Sequence, residues 1–298
     1  MKFDKIKEIE NFIIENEIFE NITYIREIYE GGSTYNFYVR TNINEYILKL
    51  IPNEKFDMYN RLVYILSTMN LFVPIKIDSF DNYKMLVMTF INGRKLRYKN
   101  ITDTLVKKLF VQYKKMQSCK IDKQYIRSQY ISVDMAQDIQ NKFDEDKSFI
   151  AGLINKYFFT KFKEQLYVKP KTNIFIHGDF TANNILIDKD NNPNLIDFDC
   201  LRFGYEIEDF AGLVLQLSGF RGLIGNIKYF KKLYNLINKN SIYSKDDWIY
   251  GIQHFYLRSL RRWVHNSNKK KKTIRKGLCF FISLMGYFRL IKFLHKIK

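Results

Sequence analysis

Cysteine is scarce and scattered in this chain of 298 residues: Cys119, Cys200 and Cys279 are odd in number, far apart, and form no CxxC or Cys/His pair. Such spacing argues against a disulfide framework and a structural zinc site, and it suits a reducing compartment. Long apolar runs are missing too. The apolar stretch from Leu278 to Tyr287 is too short to span a bilayer, which needs about 20 residues. Met1 to Glu20 is charged and amphipathic rather than apolar, so a secretory leader is not expected and a cytoplasmic setting is. Acidic residues almost vanish near the end: Arg221 to Lys298 carries nineteen basic residues and two acidic ones, nearly all of the formal charge of +18.

What is present is a chain that folds. Its length suffices for one large domain or two lobes, and 46% hydrophobic residues are too many for global disorder. Residues 171–200 read KTNIFIHGDFTANNILIDKDNNPNLIDFDC. Short apolar runs (Ile174 to Ile176, Ile185 to Ile187, Leu195-Ile196) alternate with polar segments. The pattern predicts strand, loop, strand, hairpin turn and strand, with Asp179, Asn184 and Asp197 at the ends of apolar runs. Singly, each would be an ordinary turn residue. Together they supply what a divalent cation and a polyphosphate need, because magnesium prefers oxygen ligands and takes only one or two protein carboxylates beside phosphate oxygens.

The motif His177-Gly178-Asp179, four residues, Asn184, then Ile196-Asp197 resembles the catalytic segment of the aminoglycoside phosphotransferase and choline kinase superfamily. The resemblance implies an α+β, bilobal protein-kinase-like fold. A small antiparallel β-rich lobe would cover residues 1–91, binding nucleotide, and a larger, mainly helical lobe residues 92–298, binding the acceptor. It also implies roles: Asp179 as catalytic base or hydroxyl-orienting group, Asn184 and Asp197 as Mg²⁺ ligands on ATP. The reaction expected is transfer of the γ-phosphoryl group to a hydroxyl of a small molecule or sugar.

Upstream, Lys5 to Phe19 has apolar residues at helical spacing, and Ile22 to Ile51 reads as strands. Gly31, Gly32 and Ser33 form a turn that lets backbone N–H groups approach phosphate oxygens, although a glycine pair commonly just turns a hairpin. Followed by Lys49 in the third strand, it resembles the family's nucleotide loop and phosphate-gripping lysine. The family's hinge, whose main chain meets the adenine, falls by position on Thr89, Phe90 and Ile91. One feature departs from the pattern. The helix expected over Phe56 to Met69 has Tyr59 and Asn60 where a glutamate would pair with Lys49, leaving Glu54 and Asp57 as the only nearby acids. Thr102 is expected to cap a helix reaching Met116. Asp209 matches an Asp that the family places at the start of a helix under the catalytic loop and is expected to lend structural support through a cap or backbone hydrogen bonds, and His177 is expected to be a scaffold residue.

The basic region 258–298, with Arg258, Arg261, Arg262, Trp263 and Lys269 to Lys272 beside an aromatic helix, reads either as a peripheral anchor on anionic membrane at the inner face or as a core-packing terminal helix with a solvated lysine loop. No motif for specific nucleic-acid recognition accompanies it. The charge disfavours a polycationic acceptor and favours an anionic or membrane-associated one, such as a cell-envelope glycan or lipid-linked intermediate. Alternatives are a choline-, homoserine- or aminoglycoside-type kinase and, from other classes, a nucleotide-binding pseudokinase or a membrane-surface binding protein.

Overall fold

The computed structural model describes residues 2–28, 35–121, 174–220, 225–267 and 273–296, and among these the side chains of all but 2–6 and 259–284. The chain divides into two compact units. The first holds the described residues up to Gly93 and those from Gln112 to the residue 121 limit; the second holds Arg94–Val111 and the described residues from Ile174 on.

The first unit is built on an antiparallel sheet. After helix α1 (Lys2–Glu15) come β1 (Ile22–Glu27), β2 (Tyr35–Thr41), β3 (Glu45–Pro52), α2 (Phe56–Met69), β4 (Phe72–Val73), β5 (Ser79–Phe80) and β6 (Tyr83–Thr89), with strand order β1-β2-β3-β6-β4 and β5 paired to β6. Strand alternation decides what each face does. Leu48 and Leu50 of β3 join Phe37, Val39, Met85 and Val87 on one face, where α1 lays down Ile9 and Ile13. Lys49, between those leucines, belongs to the opposite face, in register with Asn36 of β2 and Leu86 of β6. α1 stops at Glu15, short of the predicted Phe19, because the chain takes a left-handed turn at Glu17, φ 49°. Phe19 still reaches the same core.

The second unit begins with β7 (Arg94–Lys95) and the part of α3 (Asp103–Gln117) up to Val111, and the N-terminus of α3 is capped as expected: Thr102 Oγ1 accepts from Leu105 N at 3.2 Å. Its later strands are β8 (Ile174–Ile176), β9 (Ile185–Ile187), β10 (Pro193–Leu195) and β11 (Arg202–Gly204). They form a β10-β9-β7 sheet and a β11-β8 pair. The helices α4 (Glu206–Leu217), α5 (Ile227–Lys239), α6 (Lys245–Ser267) and α7 (Thr273–Lys296) follow. Every residue of α4 from Ile207 to Leu215 is buried, as a helix apolar nearly all round must be. Around it pack Phe230 and Leu233 of α5 and Trp248, Ile252 and Tyr256 of α6. Gly251 lets α6 approach α4 closely, since a Cβ there would lie 2.7 Å from Ile207 O. Tyr287, Leu290, Ile291 and Leu294 of α7 are buried, so this part of the terminal helix serves the core. Among the described residues no helix is long and apolar enough to cross a membrane.

The sheet face under α1 makes a direct prediction. Leu48→Ala, at a fully buried position of the central strand, should cost about 2–5 kcal/mol of unfolding free energy by denaturant titration. Ile43→Ala, in an exposed loop, should cost no more than about 0.5 kcal/mol.

Candidate active site

The His177-Gly178-Asp179 segment leaves β8 in a conformation that this sequence alone permits. Gly178 has φ +78°, and a Cβ on it would lie 2.1 Å from Cys200 O, so only glycine fits. Below it, the buried Asp209 carboxylate of α4 accepts from His177 N at 2.8 Å and from Gly178 N at 3.1 Å. These are the backbone hydrogen bonds expected of Asp209. His177 is fully buried, with Nε2 3.0 Å from Ile196 O and Nδ1 3.4 Å from Asp179 N. Facing a carbonyl, Nε2 carries the proton, and Nδ1 accepts; the ring is a scaffold element. Arg258 Nη1 of α6 donates to Gly178 O.

Asp179 and Asn184 are brought together. The turn Ala182–Asn184 folds back so that Asn184 Nδ2 donates to Asp179 O at 2.9 Å and to Asp179 Oδ2 at 3.1 Å. Asn184 O in turn accepts from Ile196 N at 3.0 Å, tying this turn to the residue before Asp197. Asp197 sits in the left-handed region, φ 61° and ψ 64°, with its side chain exposed. A non-glycine residue held there is a strained conformation of the kind found at functional sites. The strand does not continue beyond it. Phe198–Cys200 is a tight turn, so Asp199 is a turn residue and shares no strand face with Asp197. The Cys200 thiol is pushed up by burial, then by the charges of Asp179, Asp197 and Asp199, against the opposing pull of Arg258.

A divalent cation here would be offered the carboxamide oxygen of Asn184 and the carboxylate of Asp197. Nδ2 of Asn184 is committed to Asp179, which fixes Oδ1 as the free end of the amide. Among the described residues no cluster of three or more His, Cys, Asp or Glu could hold a metal. Two hard oxygen donors without a protein cage fit Mg²⁺ that also leans on phosphate oxygens, and fit zinc or calcium poorly.

In the first unit Lys49 is buried within β3. The α2 helix forms as expected, but Tyr59 turns its hydroxyl to Asp78 at 3.5 Å, and Glu54 and Asp57 are exposed. At the end of β6, Thr89 N donates to Leu71 O and Phe90 N to Glu45 O, so the N–H of Ile91 is the one of the three left without a partner among the described residues. Gly31, Gly32 and Ser33 lie outside the described residues, as does the lysine run from Lys269 to Lys272.

Sequence reasoning missed a buried polar cluster next to this site. Arg202 Nη2 lies 2.5 Å from Glu208 Oε2, and His254 Nε2 lies 3.0 Å from the same oxygen, all three residues being buried. Burial pushes Glu208 up against the pull of Arg202, while burial and then the charges of Arg202 and Arg258 hold His254 well below its ordinary 6.5. The available signal was the spacing of Tyr250, His254 and Arg258, a polar stripe four residues apart on a helix that otherwise packs apolar side chains. Arg258 belongs to the basic region 258–298, which reads from sequence either as a peripheral anchor or as a core-packing terminal helix; its bond to Gly178 O places it beside the His-Gly-Asp segment.

The chain belongs to the phosphotransferase enzyme family, whose model matches residues 25–225. It is a phosphotransferase with an alcohol group as acceptor, and its α+β architecture is protein-kinase-like. A choline kinase, LicA, from Streptococcus pneumoniae is similar at 15% identity, over 96% of this chain and 99% of that one, with a TM-score of 0.62. An ethanolamine kinase from Plasmodium vivax is similar at 16% identity, over 95% and 88%, TM-score 0.60. A spectinomycin phosphotransferase, solved with ADP and spectinomycin, is similar at 12% identity, over 93% and 97%, TM-score 0.62. At these identities the likeness shows the fold. No curated protein matches the chain.

The buried histidine yields a pH prediction. His254 has a folded pKa below its unfolded value, so the unfolded chain takes up the proton first; stability is intact above about pH 6.5 and falls as pH drops below it. The urea midpoint should therefore fall between pH 7.5 and 5.5 more in the wild type than in His254→Gln. Glu208, raised by burial, acts in the opposite sense in both proteins. Equal falls in the two would contradict this.

Proposed function

We propose that the enzyme transfers the γ-phosphoryl group of ATP to a hydroxyl of a small molecule or sugar, with Asp179 as the residue that orients and deprotonates that hydroxyl. The observation that carries the reading is the grip of Asn184 Nδ2 on both the main chain and the carboxylate of Asp179. That contact commits Oδ2 and leaves Oδ1 of Asp179 as the oxygen that would accept from an incoming hydroxyl. A half-buried carboxylate at the end of a rigid backbone fits hydroxyl positioning, the main task left to the protein when the phosphoryl group carries its own electrophilicity.

Asn184 and Asp197 would hold Mg²⁺, which when bound neutralises charge on the transferring phosphates. Lys49, buried in its strand, supplies a fixed positive charge for the α- and β-phosphates. Gly31, Gly32 and Ser33, by their sequence pattern, would supply backbone N–H groups to the same phosphates. Among Thr89, Phe90 and Ile91 the unpaired N–H of Ile91 is the donor for the adenine edge. Catalysis on this account is positioning and charge neutralisation.

For the acceptor, the excess of basic residues after Arg221 supports an anionic compound, such as a cell-envelope glycan or lipid-linked intermediate, over a polycation. A choline-, homoserine- or aminoglycoside-type acceptor is the alternative, and the neighbours named for choline, ethanolamine and spectinomycin favour testing it in the same panel. Tyr59 and Asn60, in place of an acid on α2, favour a nucleotide-binding protein without turnover as the second reading. Purified protein with Mg·ATP and a panel of anionic glycans, amino alcohols and aminoglycosides decides among them. Acceptor-dependent ADP formation is expected, and Asp179→Asn should lower its rate about 10²–10⁴-fold while ATP still binds. Turnover equal in the mutant would remove Asp179 from the chemistry. ATP binding with no turnover on any acceptor would favour the second reading.

A further inference from the structure

The backbone before Asp179 is held from two sides by elements distant in sequence. On one side, the carboxylate of Asp209 takes the N–H groups of His177 and Gly178. On the other, the carbonyl of Gly178 accepts from Arg258, eighty residues further along the chain. A glycine at positive φ can rotate its following peptide more freely than any other residue, so the carbonyl contact is what removes that freedom at Gly178.

The helix carrying Arg258 is itself held in place. His254 and Tyr250, four and eight residues earlier on the same face, reach Glu208, at 3.0 Å to Oε2 and 3.5 Å to Oε1. Arg202 closes on Glu208 Oε2 at 2.5 Å, and Gly251 seats the helix against Ile207 and Ala211. Glu208 and Asp209 are neighbours in α4. One turn of α4 therefore anchors the loop directly through Asp209 and, through Glu208 and α6, aims Arg258 at the far side of the same peptide.

We infer that Arg258 is a positioning residue for phosphoryl transfer: by fixing the carbonyl of Gly178 it fixes the peptide plane that leads into Asp179 and hence the direction of the Asp179 carboxylate. The inference rests on the role given to Asp179 above. Misplacement of a reacting group by about 1 Å can cost roughly 10²-fold in rate, so losing this contact acts on turnover more than on nucleotide affinity.

The test uses the full chain as wild type, Arg258→Met, Arg258→Lys and, as a control, Arg289→Met at an exposed position of α7. Amide hydrogen exchange is followed over residues 174–187 and, for reference, over β3. ADP release from Mg·ATP, with water as the acceptor, is followed alongside. In Arg258→Met, exchange over 174–187 should rise about tenfold with β3 unchanged, and kcat should fall about 10–100-fold with KM for ATP within twofold. Arg258→Lys, which keeps a donor, should recover part of both, and Arg289→Met should match the wild type. Unchanged exchange over 174–187 would overturn the inference. So would a rise spread equally over β3, which assigns Arg258 to global stability, or a changed exchange with unchanged kcat. Calorimetric binding of Mg·ATP to the wild type keeps the two readings apart, because its absence counts against the nucleotide site and not against the contact of Arg258.

Discussion

The second unit depends on one buried carboxylate. Asp209 lies in the first turn of α4, where a negative charge is favoured by the helix dipole, and it spends both oxygens on the N–H groups of His177 and Gly178. Without it, two backbone donors would be buried and unpaired, at a cost of about 1–3 kcal/mol each. With it, the turn between β8 and the catalytic segment has a single geometry. Gly178 completes the constraint from the other direction, since Cys200 O occupies the space a Cβ would need.

Rigidity is then passed outward by short contacts. His177 ties the loop to Ile196, Asn184 ties Asp179 to its own turn, and the main chain of Asn184 ties that turn to Ile196 again. Asp197 follows in a left-handed conformation. Apolar packing underneath makes this possible. Phe180 and Phe198 flank His177, and Phe180 meets Phe210 of α4 at 5.3 Å between ring centroids. The polar site thus stands on a helix buried on every side, an arrangement that holds catalytic groups more precisely than a loop could.

The strands and turns of the His-Gly-Asp to Ile-Asp segment could be read from sequence because their signals are local. Short apolar runs ended by His-Gly-Asp, Asn and Ile-Asp gave the strands, and Thr102 announced its own cap. What failed were inferences that needed distant partners. Nothing near Asp197 says that its strand ends there, since that follows from its left-handed backbone. Arg258 looked like one more cation in a basic region because its partner, a glycine carbonyl, leaves no mark in the sequence. Glu208 was overshadowed by Asp209, although burying a carboxylate requires a partner and Arg202, His254 and Tyr250 are the ones it finds. In the first unit, the alternation around Lys49 predicted its strand, while the identity of the groups around its ammonium was out of reach once α2 offered no acid at Tyr59.

The central claim is that Asn184 and Asp197 form, with a nucleotide, a metal site beside Asp179. Electron paramagnetic resonance of Mn²⁺ titrated into the protein with and without a non-hydrolysable ATP analogue tests it most directly. The account predicts Mn²⁺ binding that strengthens when nucleotide is present and weakens at least about tenfold in Asp197→Asn, in line with the loss of a metal ligand or its support. Binding that ignores the nucleotide, or is equal in wild type and Asp197→Asn, would contradict it.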